Sequence, residues 1–218
     1  MTSLEALSLQ NSVDIKLNQQ MASSLNKLFR KLTHLRRIDF AYCNLKGRLS
    51  TLLGGLRQPI EFLGLKDCRL DAEDLVFLSR WSCSPFLREL NLSRNNLESH
   101  ITDVERLLER LTENIVCLSL AYCIFSTTLH VRIARICRLC PKLKVLCLTG
   151  YTPLPHAGSL EVLSIIAQNQ MLQKAVIFPK VYGFPGNNER ERAMNRYHAL
   201  RLSYRYLVMR RRHNFELE

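Results

Sequence analysis

Leucines and their apolar equivalents recur along this chain in a fixed local pattern, with polar residues filling the positions between. In Leu87-Arg-Glu-Leu90-Asn-Leu92-Ser-Arg-Asn95-Asn-Leu97, apolar side chains hold the first, fourth, sixth and last places and an asparagine holds the ninth. The segments Ile60 to Leu70 and Leu35 to Leu45 repeat it with conservative exchanges, and Ile115 to Phe125 does so with Phe125 closing the motif. Weaker copies start at Leu4, Leu143 and Leu172, so successive copies begin 31, 25, 27, 28, 28 and 29 residues apart. Self-similarity at so even a period marks a repeat protein, and the pattern LxxLxLxxN/CxL is that of the leucine-rich repeat.

The pattern has a physical reading. In LxL the two leucines point one way from a short strand, into a core, and their neighbours point out. At the ninth place the chain turns and leaves backbone groups that need partners. Asn95 supplies them through its amide, whereas Cys43, Cys68 and Cys123 at the same place act as small apolar groups with a weak thiol donor. Between strands the period becomes helical. Helices are expected over 14–31, with Ile15, Leu17, Met21, Leu25 and Leu28 on one face, over 71–81 behind an acidic first turn, and over 98–111. A further helix over 126–139 is capped by Ser126 or Thr127 and stopped by Pro141. The fold class is therefore α/β, a ribonuclease-inhibitor-like horseshoe with a concave parallel sheet and convex helices. About seven repeats fill 1–180, and an irregular connection with a C-terminal capping helix fills 181–218.

The two ends differ. The first strand starts at residue 4, which leaves no polar cap ahead of it. Either more protein precedes it or another molecule is expected to cover that edge. At the other end Val181-Tyr-Gly-Phe-Pro-Gly186 breaks the pattern, and a helix from Asn187 or Asn188 to about Arg212 presents Met194, Tyr197, Arg201, Tyr204 and Val208, filled out by Ala193, Leu200 and Leu207, as a stripe that closes the last repeat.

Composition narrows the function. With 218 residues, 47% of them hydrophobic, the chain can bury a core, and no apolar run reaches the 18 or so residues of a membrane span. The N-terminus lacks the basic and apolar regions of a signal peptide, so the eight cysteines are expected as thiols in the cytoplasm, with the nucleus as a second location. Cys137-x-x-Cys140 is the one CxxC, and no second pair completes a zinc set. No phosphate-binding, dinucleotide, metalloprotease or nucleophile-elbow motif occurs, so neither an enzyme nor a cofactor is expected. The net charge of +12 admits nucleic acid as an alternative partner. Eight arginines between Asn187 and Arg212 place much of that excess at the C-terminus, where arginine alternates with tyrosine.

Recognition is expected on the strand face, toward a protein partner. By register its residues are Arg37, Asp39, Tyr42, Phe62, Lys66, Asp67, Glu89, Asn91, Arg94, Tyr122 and Lys174. Early repeats present mixed charge there, and later ones present small or apolar residues such as Cys117, Ser119, Val145 and Cys147. Three readings remain open: a substrate-holding module, an inhibitor-type repeat protein, and a nucleic-acid or chromatin binder acting through the C-terminal arginines.

Leu107 to Phe125 and Ser159 to Gly186, followed by the arginine- and tyrosine-bearing helix, resemble the PRAME family of leucine-rich-repeat proteins. The likeness covers Leu87 to Val208 well and the rest through the repeat. It implies a non-enzymatic substrate receptor of a cullin–RING ubiquitin ligase, acting in proteasomal degradation and through its targets on transcription or apoptosis. It also implies elongin contact through an N-terminal BC-box. Leu4 with Ser8 and Ser12 does not fit that motif, and Leu143 with Cys147 and Tyr151 lies in a repeat strand. The elongin-binding part is therefore expected elsewhere in a longer protein.

Overall fold

The computed structural model describes residues 3–10, 19–124, 126–148, 161–162, 164–166 and 168–176. Among the described residues, seven three-residue strands form one wholly parallel sheet whose order follows the chain. They are β1 (Ala6–Ser8), β2 (Arg37–Asp39), β3 (Phe62–Gly64), β4 (Glu89–Asn91), β5 (Cys117–Ser119), β6 (Val145–Cys147) and β7 (Lys174–Val176). The LxL rule sets the register: Ile38, Leu63, Leu90, Leu118 and Leu146 stack as partners, all buried, while the residues on either side face away. The helices α1 (Gln19–Lys31), α2 (Leu49–Leu53), α3 (Ala72–Arg80), α4 (Ile101–Leu111) and α5 (Thr127–Arg138) pack side by side in the same order. Paired strands sit about 4.8 Å apart and packed helices about 8–10 Å, so the layers can match only in an arc with strands inside.

Capping follows the sequence at two helices. Asp71 accepts from the Asp74 amide while Asp74 accepts from that of Asp71, a reciprocal box, and Ser126 accepts from the Leu129 amide at the head of α5. Asp74 also holds the amides of Gly47 and Leu49, which ties α2 to α3. α2 has no counterpart among the expected helices, and one expectation is corrected. On α1 the buried face is Ala22 and Phe29, with Phe29 against Phe40 at 6.1 Å, while Met21 and Leu28 are exposed. The aromatic ring fills more of the core than Leu28 could, so the helix is turned toward it. Residues 14–18 of that expected helix lie outside the described residues, as do the C-terminal connection and helix of 181–218. Gly55 gives α1 room, because a Cβ there would meet Asn26 Oδ1 at 2.7 Å and Arg30 Cδ at 2.8 Å and shift an Asn26 that bonds the Leu52 carbonyl.

The ninth-place residues perform the expected task in two ways. Asn95 donates to the Leu65 and Leu92 carbonyls, each at 2.8 Å, and accepts from the amides of Cys68 and Leu70. The thiols of Cys43, Cys68 and Cys123 each donate to one carbonyl of the preceding repeat, on Leu9, Phe40 and Leu92, at 3.1 Å. Burial pushes the Cys68 and Cys123 thiols up to about 12. The Cys137 and Cys140 thiols touch at the end of α5, and Asn169 donates to both of their carbonyls. Among the described residues no helix is long and apolar enough to cross a membrane.

Candidate functional site

The outward residues of the strands form two rows on the inner face of the arc. Arg37, Phe62, Glu89, Cys117 and Val145 are register partners in the first, and Asp39, Gly64, Asn91, Ser119 and Cys147 in the second, with Lys174 and Val176 as the register partners of Val145 and Cys147 on β7. A third row lies where each strand turns. There Tyr42, Asp67, Arg94 and Tyr122 have φ of 65°, 54°, 61° and 57°. Left-handed backbone costs an ordinary residue on the order of 1 kcal/mol or more. The amides of Tyr42, Asp67 and Arg94 offset it by donating to Lys66, Ser93 and Ala121 of the next repeat.

These rows bring the expected residues into three clusters. In the first, Arg37 reaches across β3 to Glu89 with bonds of 3.1 and 3.3 Å, and its guanidinium lies 4.5 Å from the Phe62 ring centre. The bond to Glu89 raises the Arg37 pKa further. In the second, Lys66 Nζ stands 4.9 Å from the Tyr42 ring centre, and in the third the Arg94 guanidinium stands 5.8 Å from that of Tyr122. Each cation is thus held over an aromatic face, an attraction of about 0.5–1 kcal/mol at exposed sites. Asp67 lies on the rim between the last two clusters.

Asp39 and Asn91 have local duties. Each accepts from the amide two residues on, Ala41 at 2.9 Å and Ser93 at 3.1 Å, and so ends its strand. Asp39 also accepts from Gln10 at 2.6 Å and lies over Gly64, where a Cβ would strike its carboxylate. Gly64 is therefore part of the site although no motif marked it. Of Lys174 only its place on β7 is described. The later strands are indeed plainer. Cys117 is half-buried, and burial raises its thiol pKa, the wrong direction for a nucleophile.

A parallel sheet built one strand per repeat, with its outward side chains on one curved face, defines a leucine-rich-repeat solenoid. The chain belongs to the family described as PRAME C-terminal domain, whose model matches residues 1–171. It is 34% identical over 151 residues to human leucine-rich repeat-containing protein 14, a match covering 68% of this chain and 30% of that protein. The cattle protein of the same name is 35% identical over 134 residues, 61% of this chain and 27% of its own. The chain thus spans less than a third of the length of these relatives. A Caenorhabditis elegans tropomodulin C-terminal domain structure aligns over 93% of this chain and 89% of its own, at 12% identity and a TM-score of 0.36, too slight a likeness to add to the argument.

Proposed function

We propose that the inner face of β2–β5 captures a protein partner, and that the chain is non-enzymatic and serves as the substrate-holding half of a cullin–RING ligase receptor. The observation that carries the first part is the set of aromatic and arginine side chains held in place before any partner arrives. Tyrosine, phenylalanine and arginine are the residues enriched at interface centres. Side chains already drawn together by mutual contact, on backbone held in left-handed turns, have less freedom left to lose on binding, which lowers the entropic cost of association. Charge on this face is balanced, Arg37, Lys66 and Arg94 against Asp39, Asp67 and Glu89, so shape and stacking select the partner more than net attraction does. The ligase part rests on family membership alone.

The test is affinity purification of the tagged chain from cells beside Arg37→Glu and Arg94→Ala/Tyr122→Ala variants of unchanged circular dichroism. The proposal expects a partner that both variants lose, together with elongins and a cullin recovered with the longer relatives. A partner retained by both variants overturns the surface assignment. A single stoichiometric enzyme without elongins would favour the inhibitor reading.

A further inference from the structure

The excess positive charge does not belong chiefly to the C-terminal arginines. Through Lys180 the chain already has twenty-three lysines and arginines against fifteen carboxylates. The structure shows where part of that excess gathers. Helices α1, α3 and α5 finish on Lys31, Arg80 and Arg138, α4 has Arg110 in its last turn, and Arg57 follows α2. Chain entry into the strands adds Arg36, Arg88 and Lys144, which share one ladder with Glu61 and Val116 through successive backbone bonds. Lys142 lies in the turn between α5 and β6. All of these sit on the same edge of the arc, where helices end and strands begin. The carboxylates on this edge are Glu5, Glu61, Glu109 and Glu113. The opposite edge, where helices begin, is more acidic, with Asp71, Glu73, Asp74, Glu98 and Asp103 against Lys46, Arg48 and Arg69.

Bases near helix C-termini stabilise the helix dipole, which accounts for Lys31, Arg80, Arg110 and Arg138. It does not account for Arg36, Arg57, Arg88, Lys142 and Lys144, which lie in turns and at strand starts. Pairing separates this edge from the helix faces as well. Arg106, Arg132 and Arg135 on the helices each have a carboxylate partner, Asp103, Glu105 and Glu161. Among the described residues, the edge bases have only the pair of Arg88 with Glu61, a loose 3.8 Å. Arg138 and Lys142 instead bond neutral amides, on Gln168 and Asn114, and Arg36 bonds the carbonyls of Thr33 and Leu35. In the middle of this edge, between Arg80 and Arg88, Phe86 is 53% exposed.

We propose that this edge binds single-stranded nucleic acid, as a second surface separate from the inner face. Largely unpaired cations along a continuous edge gain affinity by displacing counterions from phosphate, independent of sequence. An exposed aromatic ring among them offers a stacking platform, the second component of sequence-tolerant strand binding. An acidic protein segment would satisfy the same cations and could pack on Phe86 and the exposed Leu139, so polyglutamate is the competing occupant in the test.

The experiment is fluorescence anisotropy of a labelled oligouridylate of about 20 nucleotides with the full chain, titrated between about 50 and 200 mM salt. Binding is expected to weaken steeply with salt. R57Q/R80Q/R110Q/K142Q should weaken it and flatten the log–log slope by ~0.7 for each phosphate contact removed. Phe86→Ala should weaken binding at every salt concentration without changing the slope. R106Q/R132Q/R135Q, which removes paired cations, should change nothing, and circular dichroism confirms that each variant is folded. No binding at the lowest salt overturns the proposal. So does binding that depends on Arg201, Arg205 and Arg210 and ignores the edge set. Polyglutamate binding as tight as the oligonucleotide, with Phe86→Ala silent, overturns it in favour of an acidic protein.

Discussion

Asn95 ties two adjacent repeats together through buried backbone groups, and Asn95→Ala tests that directly. Its side chain is the partner of the Cys68 and Leu70 amides and of the Leu65 carbonyl, all in buried surroundings. The Leu92 carbonyl keeps a second donor in the Cys123 thiol, so it is not orphaned. Three buried backbone groups therefore lose their partner. At about 1–2 kcal/mol for each unsatisfied group, the loss is about 3–6 kcal/mol, a large share of the 5–15 or so that holds a typical domain together. Asn95→Cys should fall between wild type and alanine, because thiols at 43, 68 and 123 each serve one carbonyl of the preceding repeat. Urea unfolding followed by circular dichroism gives the midpoint and slope, and amide exchange reports locally on Cys68 and Leu70. A midpoint change worth less than about 1 kcal/mol, or unchanged protection at those two amides, would refute the reasoning.

The core reading predicts that Leu90→Ala or Leu92→Ala costs about 2–5 kcal/mol, and an unmoved melting curve would mean that the repeat register is wrong. Arg37→Ala should cost less than about 1 kcal/mol, since both partners of its ion pair are well exposed, and a large loss on unfolding would give Arg37 a structural duty. Burial lowers the His130 pKa. The unfolded chain therefore takes up the proton first, stability falls as pH drops below the ordinary 6.5, and His130→Gln should reduce that fall. Equal declines between neutral and mildly acidic pH would contradict the assignment. In native protein an aromatic disulfide reagent should modify the half-buried Cys117 and Cys147 well before the six buried thiols, and uniform kinetics would show that the core opens as a unit.

The strands were legible because the leucine pattern reports both spacing and facing: Ile38, Leu63, Leu90, Leu118 and Leu146 pair as the motif requires. Helix heads with side-chain caps, at Asp71 and Ser126, were legible for the same local reason. α2 was not, because five residues give no periodicity and Arg48 before it supplies no side-chain cap. The inner-face residues could be named from register, but their pairing could not. Arg37 and Glu89 are 52 residues apart and bridge a strand that lies between them. The left-handed turns at Tyr42, Asp67, Arg94 and Tyr122 also went unmarked, since the usual sign is glycine and here inter-repeat bonds hold ordinary residues in place. That pairing bears on experiment as well. Reversing Arg37 and Glu89 together would rebuild the ion pair, so single reversals are the informative ones.

The central claim is that partners bind on the inner face of the sheet. A photo-crosslinking residue placed in cells at Asn91, on that face, and separately at Glu109, exposed on α4, tests it most directly. The account predicts a discrete crosslinked partner from position 91, lost when Arg37→Glu is added, and none from position 109. The same partner captured from position 109 and not from 91 would contradict it.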